Sequence, residues 1–360
     1  MPETHTVPDT GEKKKMKERI PAGKPSFLRV LALLSFLFCS LVSSALLSAP
    51  AEHVIMISLD GARPDVILAS NMPNTREMSD KGAYTWWAQS ISPSSTLPAH
   101  SSMLSGSLPE KHGITWNSWK AEGGYVLSTT CFEIAKRAGR STSMFVGKQK
   151  LEHISKPGTV DKFIKLDDIK SVGEYFLQNK PNLLFIHFSS PDEAGHRYGW
   201  GSQEQRMELE KCDKNIGLLR EYVGKSGASA VTVWIITADH GGHAKSHGSK
   251  DVRDMTVPWI CYGPGIIRQG QIEKPVSICD TAATSVSLLG LEPDTEWHGK
   301  AQLDILMPGQ TLQEIIPETG KVKWKRVYRP RIHAKRPSFQ RQYIRWRNKH
   351  LPCKQRISQL

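Results

Sequence analysis

The sequence predicts an α/β fold with a mostly parallel central sheet and helices on both faces. Three observations carry this. Four apolar runs have strand character: "HVIMISL" (53–59), "NLLFIHFSS" (182–190), "VTVWIITA" (231–238) and "VPWICYG" (257–263). They are nearly continuous rather than alternating, as in parallel strands covered on both faces. Helical stretches separate them, and strand alternating with helix argues a sandwich around a mostly parallel sheet.

Each element has its own signal. "TSMFVG" (142–147) is a weaker fifth strand. "CFEIAKRAG" ends on Gly139, a residue suited to helix termination. "SQEQRMELEKCDKNIGLLREYVG" puts Cys212, Ile216, Leu219 and Val223 on one face and ends on Gly224. Asp280 is expected to N-cap "TAATSVSLLG", which ends on Gly290. No internal repeat is present.

The 360-residue chain carries a formal net charge of +13, but that charge sits at the ends. Residues 321–360 hold 14 Lys and Arg and no acidic residue; residues 1–29 hold 7 basic and 4 acidic ones. The remaining 27 basic and 31 acidic residues leave residues 30–320 mildly acidic. A specific nucleic-acid partner is therefore not expected. Val30 to Ala49 runs 20 residues without a charge behind a basic flank. It reads as an export signal or membrane anchor, with the body on the far side of the membrane. Four regions result: a basic segment (1–29), the signal or anchor (30–50), a catalytic body (51–306) and a basic tail expected to be poorly ordered (307–360). The six cysteines form no C-x-x-C pair and read as free or buried thiols.

The chemistry-bearing residues follow the strands. The first strand ends in "SLDG" with Asp60, the second in "SSPDEAGH" with Asp192 and His196, and the third in "TADHGGH" with Asp239 and His240. "KSHGSKD", just before the fourth, contributes His247. Sites in open α/β sheets form outside the carboxyl ends of strands, so these residues can meet in one crevice. Asp and neutral His are the oxygen and nitrogen ligands that zinc accepts, although manganese or iron also suit such a set. Two divalent ions side by side can clamp a phosphoryl group. Singly, each residue could be a cap, a surface pair or a turn; their recurrence at strand ends favours a metal site. His243 is left outside the ligand set, and His100 and His112 read as structural or supporting residues.

"PSSTLPAHSS" (93–102) crowds five hydroxyls into one loop, with Ser95 and Thr96 as competing nucleophile candidates. A helix starting here would favour anions at its N-terminus, and Pro98 suits a first helical turn.

In order along the chain, "SLDGARPD", "SPSSTLPAHSSMLSGSLPEKHGITWNSW", "SPDEAGHRYG", "TADHGGH", "SHGSKD" and "VPWICYGPG" resemble type I phosphodiesterases and nucleotide pyrophosphatases of the alkaline phosphatase superfamily. The resemblance covers about 53–306. It implies Thr96 as the nucleophile, attacking phosphorus to form a phospho-threonine. It implies Asp60, Thr96, Asp239 and His240 as the ligands of one zinc, and Asp192, His196 and His247 as those of the other. It implies Asn117 as a donor to a phosphate oxygen, beside the Thr96 backbone amide. His247 follows His240 by only seven residues, where many members carry a long insertion. The expected function is metal-dependent hydrolysis of a phosphodiester or pyrophosphate, with a small phosphate ester or nucleotide as substrate. The alternatives are a phosphomonoesterase on the same fold and a non-catalytic membrane protein gripping anionic polymer. A sulfatase would need a C-x-P-x-R site, and the loop has no Cys.

Overall fold

The computed structural model describes residues 51–267 and 270–306. The basic N-terminal segment, the apolar run at 30–50 and the tail from 307 lie outside the described residues. Among the described residues, no helix is long and apolar enough to cross a membrane.

Eight strands form one sheet: β1 (His53–Leu59), β2 (Ala83–Gln89), β3 (Thr142–Val146), β4 (Lys162–Lys165), β5 (Leu183–Phe188), β6 (Thr232–Thr237), β7 (Thr256–Tyr262) and β8 (Gly270–Gln271). Their order is β4-β3-β5-β1-β6-β7-β2-β8. The half from β4 to β6 is wholly parallel. Strand β7 runs antiparallel to both β6 and β2. "VPWICYG" thus departs from the expected parallel direction: an apolar run reports burial on both faces, which a central antiparallel strand satisfies equally well.

Ten helices accompany the sheet among the described residues: α1 (Pro64–Ala69), α2 (Pro73–Lys81), α3 (Thr96–Ser105), α4 (Pro109–His112), α5 (Cys131–Arg137), α6 (Ile169–Asn179), α7 (Ser190–Tyr198), α8 (Gln203–Lys225), α9 (Val252–Met255) and α10 (Asp280–Leu288). They segregate. Helices α1, α2, α6 and α7 pack on α8, while α3, α5 and α10 pack on one another. Every residue of β1, β5 and β6 is buried, so both faces of these strands are covered. Phe185, Ile55, Ile57 and Leu59 are among the largest fully buried side chains. Burying such a side chain stabilises the fold by about 1.5–3 kcal/mol.

Several boundaries move from those expected: helix α5 stops at Arg137 and α10 at Leu288, each two residues before the expected glycine, and Ser190 opens α7. Asp280 is the first residue of α10 rather than its cap; its carboxylate accepts from the backbone N–H of Ser277 and Lys300, tying two loops together. Helix α8 runs one residue past Gly224, to Lys225. The cysteines among the described residues, Cys131, Cys212, Cys261 and Cys279, are free and buried.

Register decides what lies at the sheet edge. Ser58 pairs with His187 and Thr237, and His187 with Val146. Residues just beyond these four positions therefore emerge side by side at the carboxyl ends of β1, β3, β5 and β6.

Candidate active site

Asp60 follows β1, Asp239 and His240 follow β6, and Asp192 lies in the first turn of α7, which follows β5. Thr96 opens α3, after Ser95 in extended conformation at the cap position. Asp60, Thr96, Asp239 and His240 have no solvent exposure. Gly61 permits the turn after β1 with φ +70°, and its N–H donates to Asp239 Oδ1 at 3.1 Å. A Cβ at Gly61 would sit 3.2 Å from the Asp192 side chain, so this glycine lets β1 and α7 approach closely.

The three histidines share one arrangement. His196 Nδ1–H donates to Lys245 O at 3.0 Å, His240 Nδ1–H to Gly241 O at 2.7 Å and His247 Nδ1–H to Ser94 O at 2.9 Å. Backbone carbonyls thus hold each Nδ1–H and leave Nε2 as the atom available to a metal, which would displace any proton there. His196 Nε2 and His247 Nε2 stand 3.5 and 3.6 Å from Asp192 Oδ1. His240 Nε2 stands 3.3 Å from Asp60 Oδ1 and 3.3 Å from Asp239 Oδ2. The His240 and His247 rings stack with centroids 3.8 Å apart.

The carboxylates show the complementary pattern, with one anchored oxygen each. Asp60 Oδ2 accepts from His187 Nε2–H at 2.9 Å and from Lys148 Nζ at 2.6 Å. Asp192 Oδ2 accepts from Lys148 at 2.6 Å, and Asp239 Oδ1 from Gly61. The other oxygens, Asp60 Oδ1, Asp192 Oδ1 and Asp239 Oδ2, are buried without a hydrogen-bond partner, as is His240 Nε2. Buried polar atoms are normally satisfied, so four orphans facing one space call for a ligand. The donor set suits a divalent cation. Two groups have ligand atoms close enough to share an ion: Asp192 with His196 and His247, and Asp60 with Asp192 and His240. Asp192 belongs to both, and Asp239 stands beside the second through His240.

Electrostatics follow from this crowding. Burial pushes the Asp239 carboxyl up to about 7, and the neighbouring Asp60 charge adds to the effect. Burial opposes the charge on Asp60 too, but Lys148, His187 and His240 outweigh it and hold that carboxyl well below its usual range. His240, desolvated but facing Asp239 and Asp60, is raised to about 9. His247 is pushed down to about 4 by burial and by His240.

Asn117 stands at the exposed rim. Its Oδ1 accepts from the Leu97 N–H at 2.9 Å, next to Thr96 in the chain. His243 pairs with Asp254 at 2.6 Å, outside the cluster. His100 donates from Nδ1 to Thr96 O at 2.7 Å and accepts from Ser58 at Nε2, bracing the start of α3 against β1. His112 is held by Ser102 and by the Ile114 N–H.

Three neighbours escaped the sequence reading. His187, wholly buried in β5, orients Asp60 and accepts at Nδ1 from the Gly147 N–H. Lys148 and Lys150 follow β3; Lys148 Nζ lies 3.5 Å from Thr96 Oγ1. Only the pair "GKQK" just past a strand end could have signalled the two lysines.

The chain is similar to known proteins in sequence and in fold. The chain matches the type I phosphodiesterase / nucleotide pyrophosphatase family over residues 54–136 and 133–255. It is 22% identical over 300 residues to ectonucleotide pyrophosphatase/phosphodiesterase family member 7 of Mus musculus, covering 70% of this chain and 67% of that protein. It is 27% identical over 284 residues to a bis(5'-adenosyl)-triphosphatase of Xenopus laevis, covering 71% and 61%. The fold superposes on murine ectonucleotide pyrophosphatase / phosphodiesterase 5 with a TM-score of 0.62 and 14% identity, over 71% of this chain and all of that one. A 2-O glycosaminoglycan sulfatase gives 0.59 at 15% identity, over 71% of this chain and 74% of that one. The ordered matches across β1, α3, α7 and β6 thus place this chain in the type I phosphodiesterase / nucleotide pyrophosphatase family.

Proposed function

We propose that the protein is a metal-dependent hydrolase that cleaves phosphodiester or pyrophosphate bonds outside the cytoplasm, with Thr96 as the nucleophile. The observation that carries this is the set of orphaned atoms on Asp60, Asp192, Asp239 and His240, with Lys148 touching Asp60, Asp192 and the Thr96 hydroxyl. Asp60, Asp239, His240 and Thr96 would hold one divalent ion; Asp192, His196 and His247 would hold the other, with zinc preferred by donor type. When bound, such ions lower the pKa of a hydroxyl and neutralise phosphoryl oxygens.

The chain's own groups do the rest. Thr96 sits in the first turn of α3, where the helix N-terminus favours an alkoxide and an incoming phosphate. Its β-branched side chain and the His100 contact to its carbonyl limit its freedom, so the oxygen is held for in-line attack. The Asn117 amide oxygen is taken by the Leu97 N–H, which leaves Nδ2 to donate to a phosphoryl oxygen. Lys148, close to Thr96 Oγ1 and to two carboxylates, adds positive charge where the phosphoryl group would lie. The Thr96 hydroxyl gives its proton to solvent and its Oγ–P bond forms as the ester O–P bond breaks, while the leaving oxygen takes a proton from solvent. Water then cleaves the Oγ–P bond and restores the hydroxyl.

The experiment is a substrate panel on the zinc-loaded protein: a nitrophenyl phosphodiester, the monoester, the sulfate and a dinucleotide. Quenched turnover followed by phosphopeptide mapping is expected to place phosphate on Thr96. A phosphate on Ser95 would overturn the assignment, and turnover of the sulfate alone would overturn the reaction class.

A further inference from the structure

Lys150 lies in the short 3₁₀ helix Gln149–Ile154 that Lys148 leads into. Its Nζ donates to Asn117 Oδ1 at 2.9 Å and to Asn117 O at 3.1 Å. The same Oδ1 accepts the N–H of Leu97, so a single amide oxygen stands between the ammonium and the residue after the nucleophile. Among the described residues Lys150 forms no ion pair; its hydrogen-bond partners here are neutral oxygens of Asn117. Lys148, by contrast, is matched by Asp60 and Asp192. The half-buried ammonium of Lys150 is therefore a positive charge without a counterion, set against Asn117, the residue proposed above to hold a phosphoryl oxygen. Burial and the nearby Lys148 make that charge costly, and Asp60, Asp239 and Asp192 reach it only partly. An anionic ligand would relieve this cost by supplying a counterion.

We infer that Lys150 is a specificity-determining residue whose ammonium pairs with a second negative charge on the substrate. That charge can lie on the reacting phosphoryl group, as in a monoester, or on the adjoining phosphate, as in a pyrophosphate. A simple diester carries one charge and offers Lys150 nothing further. The protein therefore prefers doubly charged substrates, and the lysine sets the margin. This rests on the phosphohydrolase reading of the same site.

The test compares kcat/KM at pH 8 for nitrophenyl methyl phosphate, nitrophenyl phosphate and a symmetrical dinucleoside diphosphate in the zinc-loaded full chain. Lys150→Met keeps the apolar stem and removes the charge; Lys150→Arg keeps the charge. The ratio of doubly to singly charged substrate is expected to fall roughly ten- to a hundredfold in Lys150→Met, as for loss of a charge-assisted hydrogen bond, and to recover in Lys150→Arg. Loss confined to the monoester arm, or to the dinucleoside arm, identifies which phosphate carries the second charge. An equal fall for every substrate would mean that Lys150 only props Asn117, and the inference would be wrong. Should the wild type turn over none of the three, the hydrolase reading fails, while calorimetry still decides this one. Inorganic phosphate should then bind about tenfold more weakly to Lys150→Met with dimethyl phosphate little affected; unchanged phosphate affinity would overturn it.

Discussion

Asp60, Thr96, Asp239 and His240 form a floor closed to solvent, whereas His196 and Asn117 stand on a rim open to water. The floor is crowded with like charge and unsatisfied atoms, held in place by β1, β6 and α3. The rim is built of side chains that reach in from loops and helix ends and lean on backbone carbonyls or amides. The difference separates two tasks. The floor tolerates electrostatic strain because the packed sheet leaves it no alternative conformation. The rim has little strain to hold and is the natural place to discriminate between substrates.

The sharpest break of this division is Thr96→Ala. Turnover should fall by roughly 10³–10⁴, because the floor loses its only hydroxyl placed for attack. Metal content, measured by mass spectrometry of the dialysed protein, should stay close to wild type, since six other ligands remain. Near wild-type turnover would return Thr96 to a packing role.

Removing strain from the floor should stabilise the fold while destroying its use. Asp239 has a carboxyl pushed up to about 7 from 3.8, so between those pH values the native state holds more protons than the unfolded chain. In chelator, stability should therefore fall as pH rises through that window. Asp239→Asn is expected to remove this slope and to gain roughly 1–3 kcal/mol at pH 8 in denaturant titrations. A loss of stability there would show that the floor is not under charge strain.

Away from the floor the slope reverses. His112, buried between Ser102 and Ile114, is pushed down to about 4 from 6.5, so the unfolded chain binds more protons between those values. Its contribution is present above pH 6.5 and is lost as pH falls toward 4. His112→Gln should flatten this acid limb by about 1–2 kcal/mol in chelator, with little change at pH 8. An unaltered acid limb would remove His112 from the account.

The smallest effect belongs to the rim. His196→Ala should change stability in chelator by less than about 0.5 kcal/mol, because its side chain is 45% exposed. The same change should weaken the binding of one ion about ten- to a hundredfold by calorimetric zinc titration. A stability loss as large as that of a core substitution would place His196 in the floor.

The strand-end pattern was enough to nominate Asp60, Asp192, His196, Asp239, His240 and His247, because parallel strands place their carboxyl ends at one edge whatever their order. Residue type supplied the chemistry, and Pro98 with the hydroxyl loop marked the start of α3. The family resemblance added the choice of Thr96 over Ser95 and the role of Asn117. Strand direction lay beyond the sequence: the apolar pattern of β7 is the same for either orientation, and only pairing with β6 and β2 sets it. Lys148, Lys150 and His187 were equally hidden. A lysine after a strand is ordinarily a solvated surface residue, and a histidine within an apolar strand reads as core. They enter the site because β3 pairs with β5 and β5 with β1, aligning Val146, His187 and Ser58 in one row. Local sequence determines which residues can bind a cation or a phosphate. The register of strands far apart in the chain decides which charges share a buried space, and so which carboxylate is anchored and which cation is left without a counterion.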